Sequence, residues 1–325
     1  MADHVAGLLV GARTLIEPVH RATIDELGPA LRRVAGYHIG WWDAEGRPSP
    51  PGGKALRPAL TLACARAFAD GPQSPDVIAA ATAVELIHDF TLLHDDVMDG
   101  DETRRHRPSA WAVFGTTAAI LAGDALIGLA MRRVPRSLTG VLADVLVDLC
   151  EGQSADVAAE TAVDVEQCLA TAARKTGALL GAACRLGALA AGATPAAADR
   201  CRSFGVHLGV AFQLVDDVLG IWGDPKRTGK PAHSDLRARR RTLPVVAALA
   251  SDTPAGRRLA RVYLEGGGAD EIAELVAEAG GRAWAEAEAD RRVRLAFDCL
   301  HRADPRPAAA LDLRGLARLV TSRDR

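Results

Sequence analysis

Asp95, Asp96 and Asp99 stand in the run His94-Asp95-Asp96-Val97-Met98-Asp99, directly after the apolar stretch Phe90-Thr91-Leu92-Leu93. On a helix, residues four apart project from one face a turn apart, so Asp95 and Asp99 point the same way. Carboxylates about 6 Å apart repel each other unless a cation sits between them, and all-oxygen ligation suits Mg²⁺. Arg104, Arg105 and Arg107 follow closely. Acids that hold metal, followed by forked bases, suit a metal-bridged diphosphate.

A second acidic pair, Asp216 and Asp217, ends another apolar run, 212–220, with Gln213 one turn before Asp216. Two apolar helices, each ending in paired acids with bases beyond, are expected to face one cavity. Of the 39 basic residues only four are lysine, so each lysine invites a question. Lys54 and Arg57, in Gly52-Gly53-Lys54-Ala55-Leu56-Arg57-Pro58, open a helix after a glycine-rich turn, where free backbone N–H groups and the helix dipole favour an anion. Lys175 heads an apolar stretch in Arg174-Lys175-Thr176-Gly177, and Lys230 lies in the loop beyond the second acidic pair. His88 is seven residues before Asp95, two turns along the same face, an alignment that favours contact with a ligand.

The elements that must position these groups read as helices. Alanine and leucine recur at spacings of three and four, aromatic residues are 4% of the chain, and alternating Val, Ile and Thr runs are few. A first helix is expected over about 5–34, interrupted near Pro18, with a loop at 40–53. Ser74-Pro75-Asp76 supplies an N-cap, a first-turn proline and a favourable acid, starting a helix that runs to about Asp99. Further helices are expected near 108–131, 137–161, 165–192 and 195–222, then a loop at 223–234 and shorter helices to Leu319. With no repeat and no composition shift, residues 1–325 read as a single all-α domain, a bundle of long helices around a deep central cavity.

Composition excludes other classes. The chain is 49% hydrophobic and 25% charged, with 41 Asp+Glu against 39 Lys+Arg, so no basic field exists for nucleic acid or an anionic membrane. Six dispersed cysteines without a CxxC pair read as small buried hydrophobes in a reduced cytoplasm. The most membrane-like stretch, 111–131, contains Asp124 and reads as a buried core helix, so no transmembrane segment is expected.

Over 52–244 the sequence resembles the trans-polyprenyl diphosphate synthases, which elongate allylic diphosphates with isopentenyl diphosphate. The resemblance rests on Gly53-Lys54-Ala55-Leu56-Arg57-Pro58, the helix from Glu85 to Asp99, Arg104-Arg105, Gly123-Asp124, Gly152-Gln153 with Asp156, Lys175-Thr176-Gly177, and Phe212-Gln213 with Asp216-Asp217, in the family's order. It implies the isoprenoid synthase fold, a homodimer and three Mg²⁺ ions. By similarity, Lys54, Arg57, His88 and Arg105 would hold isopentenyl diphosphate. Arg104, Lys175, Thr176, Gln213 and Lys230 would hold the allylic diphosphate, with Lys175, Gln213 and Lys230 as the catalytic residues. Asp95, Asp99 and Asp216 would ligate metal, supported by Asp96 and Asp217.

Three positions depart from the family's pattern. Gly220 stands where many members carry the last aspartate of the second cluster, His106 where a glycine is common, and Arg240 where a lysine is usual before Thr242-Leu243-Pro244. Product length is expected to depend on Thr91 and Phe90, four and five residues before Asp95, which form a floor roughly 6 Å below the metals, or on Ile87 for a longer product. A bulky Phe90 beside a small Thr91 implies a short chain, C20 first and C15 next. The competing readings are a non-catalytic subunit of a heteromeric prenyl synthase and a class I terpene cyclase.

Overall fold

The computed structural model describes residues 2–49, 53–157, 164–225 and 233–321. Its elements are α1 (Ala2–Ile24), α2 (Pro29–Ile39), α3 (Leu56–Arg66), α4 (Pro75–Met98), a hairpin of β1 (Thr103–Arg104) and β2 (Arg107–Pro108), α5 (Ala110–Phe114), α6 (Thr116–Arg133), α7 (Thr139–Val157), α8 (Val165–Ala172), α9 (Ala178–Ala190) and α10 (Pro195–Trp222). Beyond these come α11 (Ser234–Arg237), α12 (Leu243–Leu249), α13 (Pro254–Glu265), α14 (Ala269–Glu278), α15 (Gly281–Arg302) and α16 (Pro307–Thr321). The all-α expectation holds: the one named strand pair among the described residues is two residues long on each side.

The chain forms two compact units. The first is Met1–Asp144 with Ala182–Arg202 and Ala303–Leu316; the second is Val145–Gly181 with Ser203–Arg302 and Ala317–Arg325.

In the first unit, α4 begins as expected, with the Ser74 side chain accepting from the Val77 N–H and Pro75 in the first turn. It packs between α3 and α6, burying Leu86, Ile87 and Leu93 against a core that includes Leu60, Leu62, Ala122 and Leu126. Each large side chain so buried contributes about 1.5–3 kcal/mol. The backbone of Gly187 lies on α3, where a Cβ would come within 2.1 Å of the Thr61 carbonyl oxygen. In the second unit, Val210, Leu214 and Val215 of α10 pack with Leu243, Ala285 and Ala289. Ile221 joins Leu236, Val245, Leu259 and Ile272 in an adjoining cluster.

Several boundaries differ from the sequence expectation. The first break falls at 25–28, not at Pro18, which α1 contains. Pro29 preset at the start of α2 provides the restart. The segment expected as one helix over 108–131 is split at Gly115, whose φ of 87° no helix accommodates. By length and composition α4 and α10, not 111–131, are the described helices apolar enough to cross a membrane. Both bury acids, Asp89 and Asp96 on α4 and Asp217 on α10. Cys64, Cys184 and Cys201 are buried as expected, whereas Cys150 is exposed and Cys168 and Cys299 are half-buried.

Candidate active site

The first unit gathers cations on strained backbone. The chain enters α3 through two left-handed residues, Gly53 at φ 79° and Ala55 at φ 52°. Arg13 of α1 donates to the Gly53 carbonyl. The Arg105 guanidinium lies beside Gly53, where a Cβ would meet its Nη2 at 3.5 Å. Arg105 and His106 form the turn between β1 and β2, both left-handed at φ 51° and 63°. Such a two-residue turn is most easily filled by Asn-Gly; left-handed non-glycine residues cost of order 1–3 kcal/mol each and persist where their surroundings over-determine them.

Aromatic residues of α2 and its following loop fix that hairpin. Tyr37 Oη donates to the Pro108 carbonyl (2.8 Å), while Arg107 donates to the Trp42 carbonyl (3.0 Å) and covers the Tyr37 ring at 4.4 Å. Trp111 Nε1 donates to the Asp101 carbonyl (2.9 Å) just ahead of it.

Arg57, His88 and Arg105 share this region. His88 is pushed well below the ordinary imidazole range, first by burial and then by Arg57, Arg105, His38 and Arg104, so it is neutral at pH 7. The buried Nε of Arg57 has no hydrogen-bond partner. Glu85 and Asp89, one turn apart on α4, are raised by burial against the pull of Arg57 and Arg105. Lys54 is exposed on the segment leading into α3. Cations crowded over acids whose ionisation burial opposes make a surface that an anion stabilises.

At the end of α4 the three acids divide by burial. Asp95 is half-buried and Asp99 exposed, while Asp96 is 1% exposed. Asp96 Oδ1 accepts from Arg104 Nε (2.6 Å) and Nη2 (2.5 Å), and its Oδ2 is buried without a partner. Arg104, expected on the allylic diphosphate, is therefore committed here to Asp96. One turn before the acids, Phe90 is buried, Thr91 is half-buried with Oγ1 donating to the His88 carbonyl (2.8 Å), and Ile87 is fully buried.

The second unit builds its site on a widened turn. Between α8 and α9, residues 173–177 form a π-helix where one continuous helix was expected. Single π turns cluster at functional sites. Glycines crowd this one: a Cβ on Gly152 would lie 2.6 Å from Lys175 N, and one on Gly209 would lie 2.5 Å from Gly177 Cα. The turn presents Thr176, whose Oγ1 donates to Gln213 Oε1 (2.8 Å). Gln213 Nε2 donates to Asp217 Oδ1 (2.7 Å), and Asp217 Oδ2 accepts from the Leu243 N–H (2.9 Å) that opens α12. Lys175 pairs with Asp156 at 2.5 Å. Burial lifts Asp217 to about 7 despite those two donors, while Asp216 beside it is exposed. Lys230 lies outside the described residues.

Two residues here went unassigned from sequence. A Cβ placed on Gly220 would lie 1.9 Å from Asp235 Oδ2, so the carboxylate of Asp235 occupies the space the missing cluster aspartate would need. No periodicity links positions fifteen apart across a loop. Gln153 on α7 buries both amide atoms without a partner. Its Gly-Gln pairing was visible, but no spacing rule assigns it a task.

Among the described residues no group of three or more His, Cys, Asp or Glu side chains forms a metal cage. What each unit offers instead is one or two outward carboxylates, hard oxygen donors of the kind Mg²⁺ uses when phosphate oxygens complete its shell.

Comparison with known proteins decides the family. The family model described as polyprenyl synthetase matches residues 48–279. The chain belongs to the polyprenyl synthetase family. It is 44% identical over 331 residues to the (2E,6E)-farnesyl diphosphate synthase of Mycobacterium tuberculosis, covering 96% of this chain and 91% of that relative. It is 42% identical over 344 residues to the geranylgeranyl diphosphate synthase of the same organism, covering 99% and 95%. The crystal structure of polyprenyl synthetase from Streptomyces coelicolor A3(2) superposes with a TM-score of 0.91 at 43% identity, covering 97% of this chain and 99% of that one. The chain is thus a prenyl diphosphate synthase, a transferase of prenyl groups with the isoprenoid synthase fold.

Proposed function

We propose that this polyprenyl synthetase condenses isopentenyl diphosphate with an allylic diphosphate in the presence of Mg²⁺, giving a short all-trans prenyl diphosphate and pyrophosphate. The observation that carries the reading is the gathering of Arg57 and Arg105 around neutral His88, which stands two to three turns before the carboxylates Asp95 and Asp99 on α4. In this reading Lys54, Arg57, His88 and Arg105 bind isopentenyl diphosphate. Lys175, Thr176, Gln213 and Lys230 bind the allylic diphosphate, and Arg104 contributes through Asp96, which it holds in place. Asp95, Asp99 and Asp216 hold three Mg²⁺ ions, with Asp96 and Asp217 behind them and Asp235 supplying the carboxylate that Gly220 lacks. The metal, when bound, stabilises the negative charge of the departing pyrophosphate.

The protein's own work is positional. Fixed cations stabilise the charge that develops as the allylic C–O bond breaks, and apolar helix walls keep water from the allylic cation. The isopentenyl double bond attacks that cation, and a proton leaves to the released pyrophosphate. The Thr176–Gln213–Asp217 chain orients the Gln213 amide, leaving it little freedom to rotate.

The product reading is geranylgeranyl diphosphate first and farnesyl diphosphate next. Two relatives of nearly equal similarity are named for different products. The support is therefore local: Phe90 buried one turn before Asp95, with Ile87 buried beyond it. The Asp235 carboxylate in the space beside Gly220 weighs against the subunit alternative. We read the enzyme as a cytoplasmic homodimer, supported by six free thiols and by apolar Ile120 and Leu121 exposed on α6. Incubating the purified chain with Mg²⁺, isopentenyl diphosphate and dimethylallyl, geranyl or farnesyl diphosphate, then sizing the dephosphorylated products, tests the reaction. Absence of any elongated alcohol would overturn it.

A further inference from the structure

We propose that His94 and Gly123 are specificity-determining residues that set product length by bracing Phe90, an inference that rests on the chain-length reading above. His94 and Phe90 are one turn apart on α4, with ring centroids 4.8 Å apart and planes at 70°, an edge-to-face pair. The other side of the imidazole is held by α6. His94 Nε2 lies 3.1 Å from the Ile120 carbonyl oxygen, to which it donates, and Asp124 Oδ1 stands 3.7 Å away. Between these contacts the ring rests on the bare backbone of Gly123, where a Cβ would lie 2.3 Å from Nε2 and 2.4 Å from Cδ2.

Gly123 sits inside α6 with no left-handed φ, so helix geometry gives no reason for a glycine there, and glycine is disfavoured in helix interiors. The imidazole is the reason. His94 is thus a wedge between a glycine notch on one helix and Phe90 on the next, and Phe90 cannot swing toward α6 while the wedge is in place. The depth available to a growing prenyl chain then depends on a pair of residues that a substrate need not touch.

Removing the wedge opens space for the Phe90 ring, so His94→Ala is expected to move at least half of the product up by one five-carbon unit. Gly123→Ala drives the imidazole toward Phe90 and is expected to move it down by one unit. His94→Phe, which keeps a ring of similar size but cannot donate to Ile120, is expected to retain the parental length. The readout is the distribution of product lengths, which a general loss of stability or rate does not shift in opposite directions for two variants. Phe90→Ala alone and Phe90→Ala/His94→Ala separate the two levels of inference. If His94 acts through Phe90, the double variant gives the same lengths as Phe90→Ala. A lengthened Phe90→Ala product with unchanged lengths in His94→Ala and Gly123→Ala would overturn the brace while leaving the floor in place. An unchanged Phe90→Ala product would overturn both.

Discussion

The two acidic regions share a plan and differ in what balances their inner carboxylates. Each sets, in the last turns of an apolar helix, a more exposed aspartate beside a buried neighbour: Asp95 with Asp96 on α4, Asp216 with Asp217 on α10. Asp96 is balanced by charge, its Oδ1 held by the Arg104 guanidinium. Among the described residues Asp217 is held by dipoles, the Gln213 amide and the Leu243 N–H, and burial lifts it to about 7. Similar sequence patterns have therefore been solved with different electrostatics. Burial raises both carboxylates; a charge partner opposes that rise at Asp96, whereas at Asp217 dipole partners oppose it and leave the group sensitive to pH and to any cation that arrives.

The largest expected effect is on the outward acids. Asp95→Ala and Asp216→Ala should each lower kcat/KM by about 10³ or more, since each removes a hard ligand for the charge that stabilises the leaving group. Arg104→Ala strands Asp96 as an unpaired buried charge and should cost about 3–5 kcal/mol in a thermal melt. Gln213→Ala removes one dipole and should cost about 1–3 kcal/mol. A larger loss in Gln213→Ala than in Arg104→Ala would break the contrast.

The Gly220 departure offers a sharper probe. Asp235→Ala should weaken Mg²⁺ binding in the presence of inorganic pyrophosphate by about 10–100-fold, read by calorimetric titration. Gly220→Asp, whose new Cβ collides with Asp235, should destabilise the second unit by about 1–3 kcal/mol. The double variant Gly220→Asp/Asp235→Ala should recover both. Failure to recover would show that the two positions do not share one task.

The pH responses should have opposite signs. His20 and His38, in the first unit, are lowered from 6.5 to about 4 and about 3, first by burial and then by Arg21 for His20 and by Arg105 and Arg104 for His38. Between those values and 6.5 the unfolded chain binds protons that the folded unit refuses, so this contribution to stability is lost as pH falls through that window. Asp217 is raised from 3.8 to about 7. Its contribution is complete below about pH 4 and lost as pH rises through 7. Without added metal, amide exchange corrected for its intrinsic pH dependence should show α1 and α2 losing protection toward pH 5 and α10 losing it toward pH 8.

The smallest effect concerns the link into the π turn. Thr176→Val removes the donor to Gln213 at little change in volume and should cost about 1 kcal/mol, with a modest rise in KM for the allylic substrate.

What was legible in the sequence was short-range. The Ser74 cap follows from the residue types at a helix start, and the extents of α4 and α10 follow from spacings of three and four that the helix itself enforces. What was not legible depends on contacts between elements. The π turn at 173–177 exists where Gly152, Gly177 and Gly209 let neighbouring backbones close on it. The left-handed Arg105 and His106 are tolerated because Tyr37 and Trp42 clamp the hairpin. Asp235 lies against Gly220, fifteen residues earlier, a contact that no local pattern sets.

The most direct measurement incubates the purified chain and Mg²⁺ with isopentenyl diphosphate and each allylic diphosphate, followed by dephosphorylation and sizing. A linear C20 alcohol, with C15 as the lesser product and none when Mg²⁺ is chelated, is the expected result. A cyclic hydrocarbon formed without isopentenyl diphosphate, or no elongation by the chain alone, would contradict it.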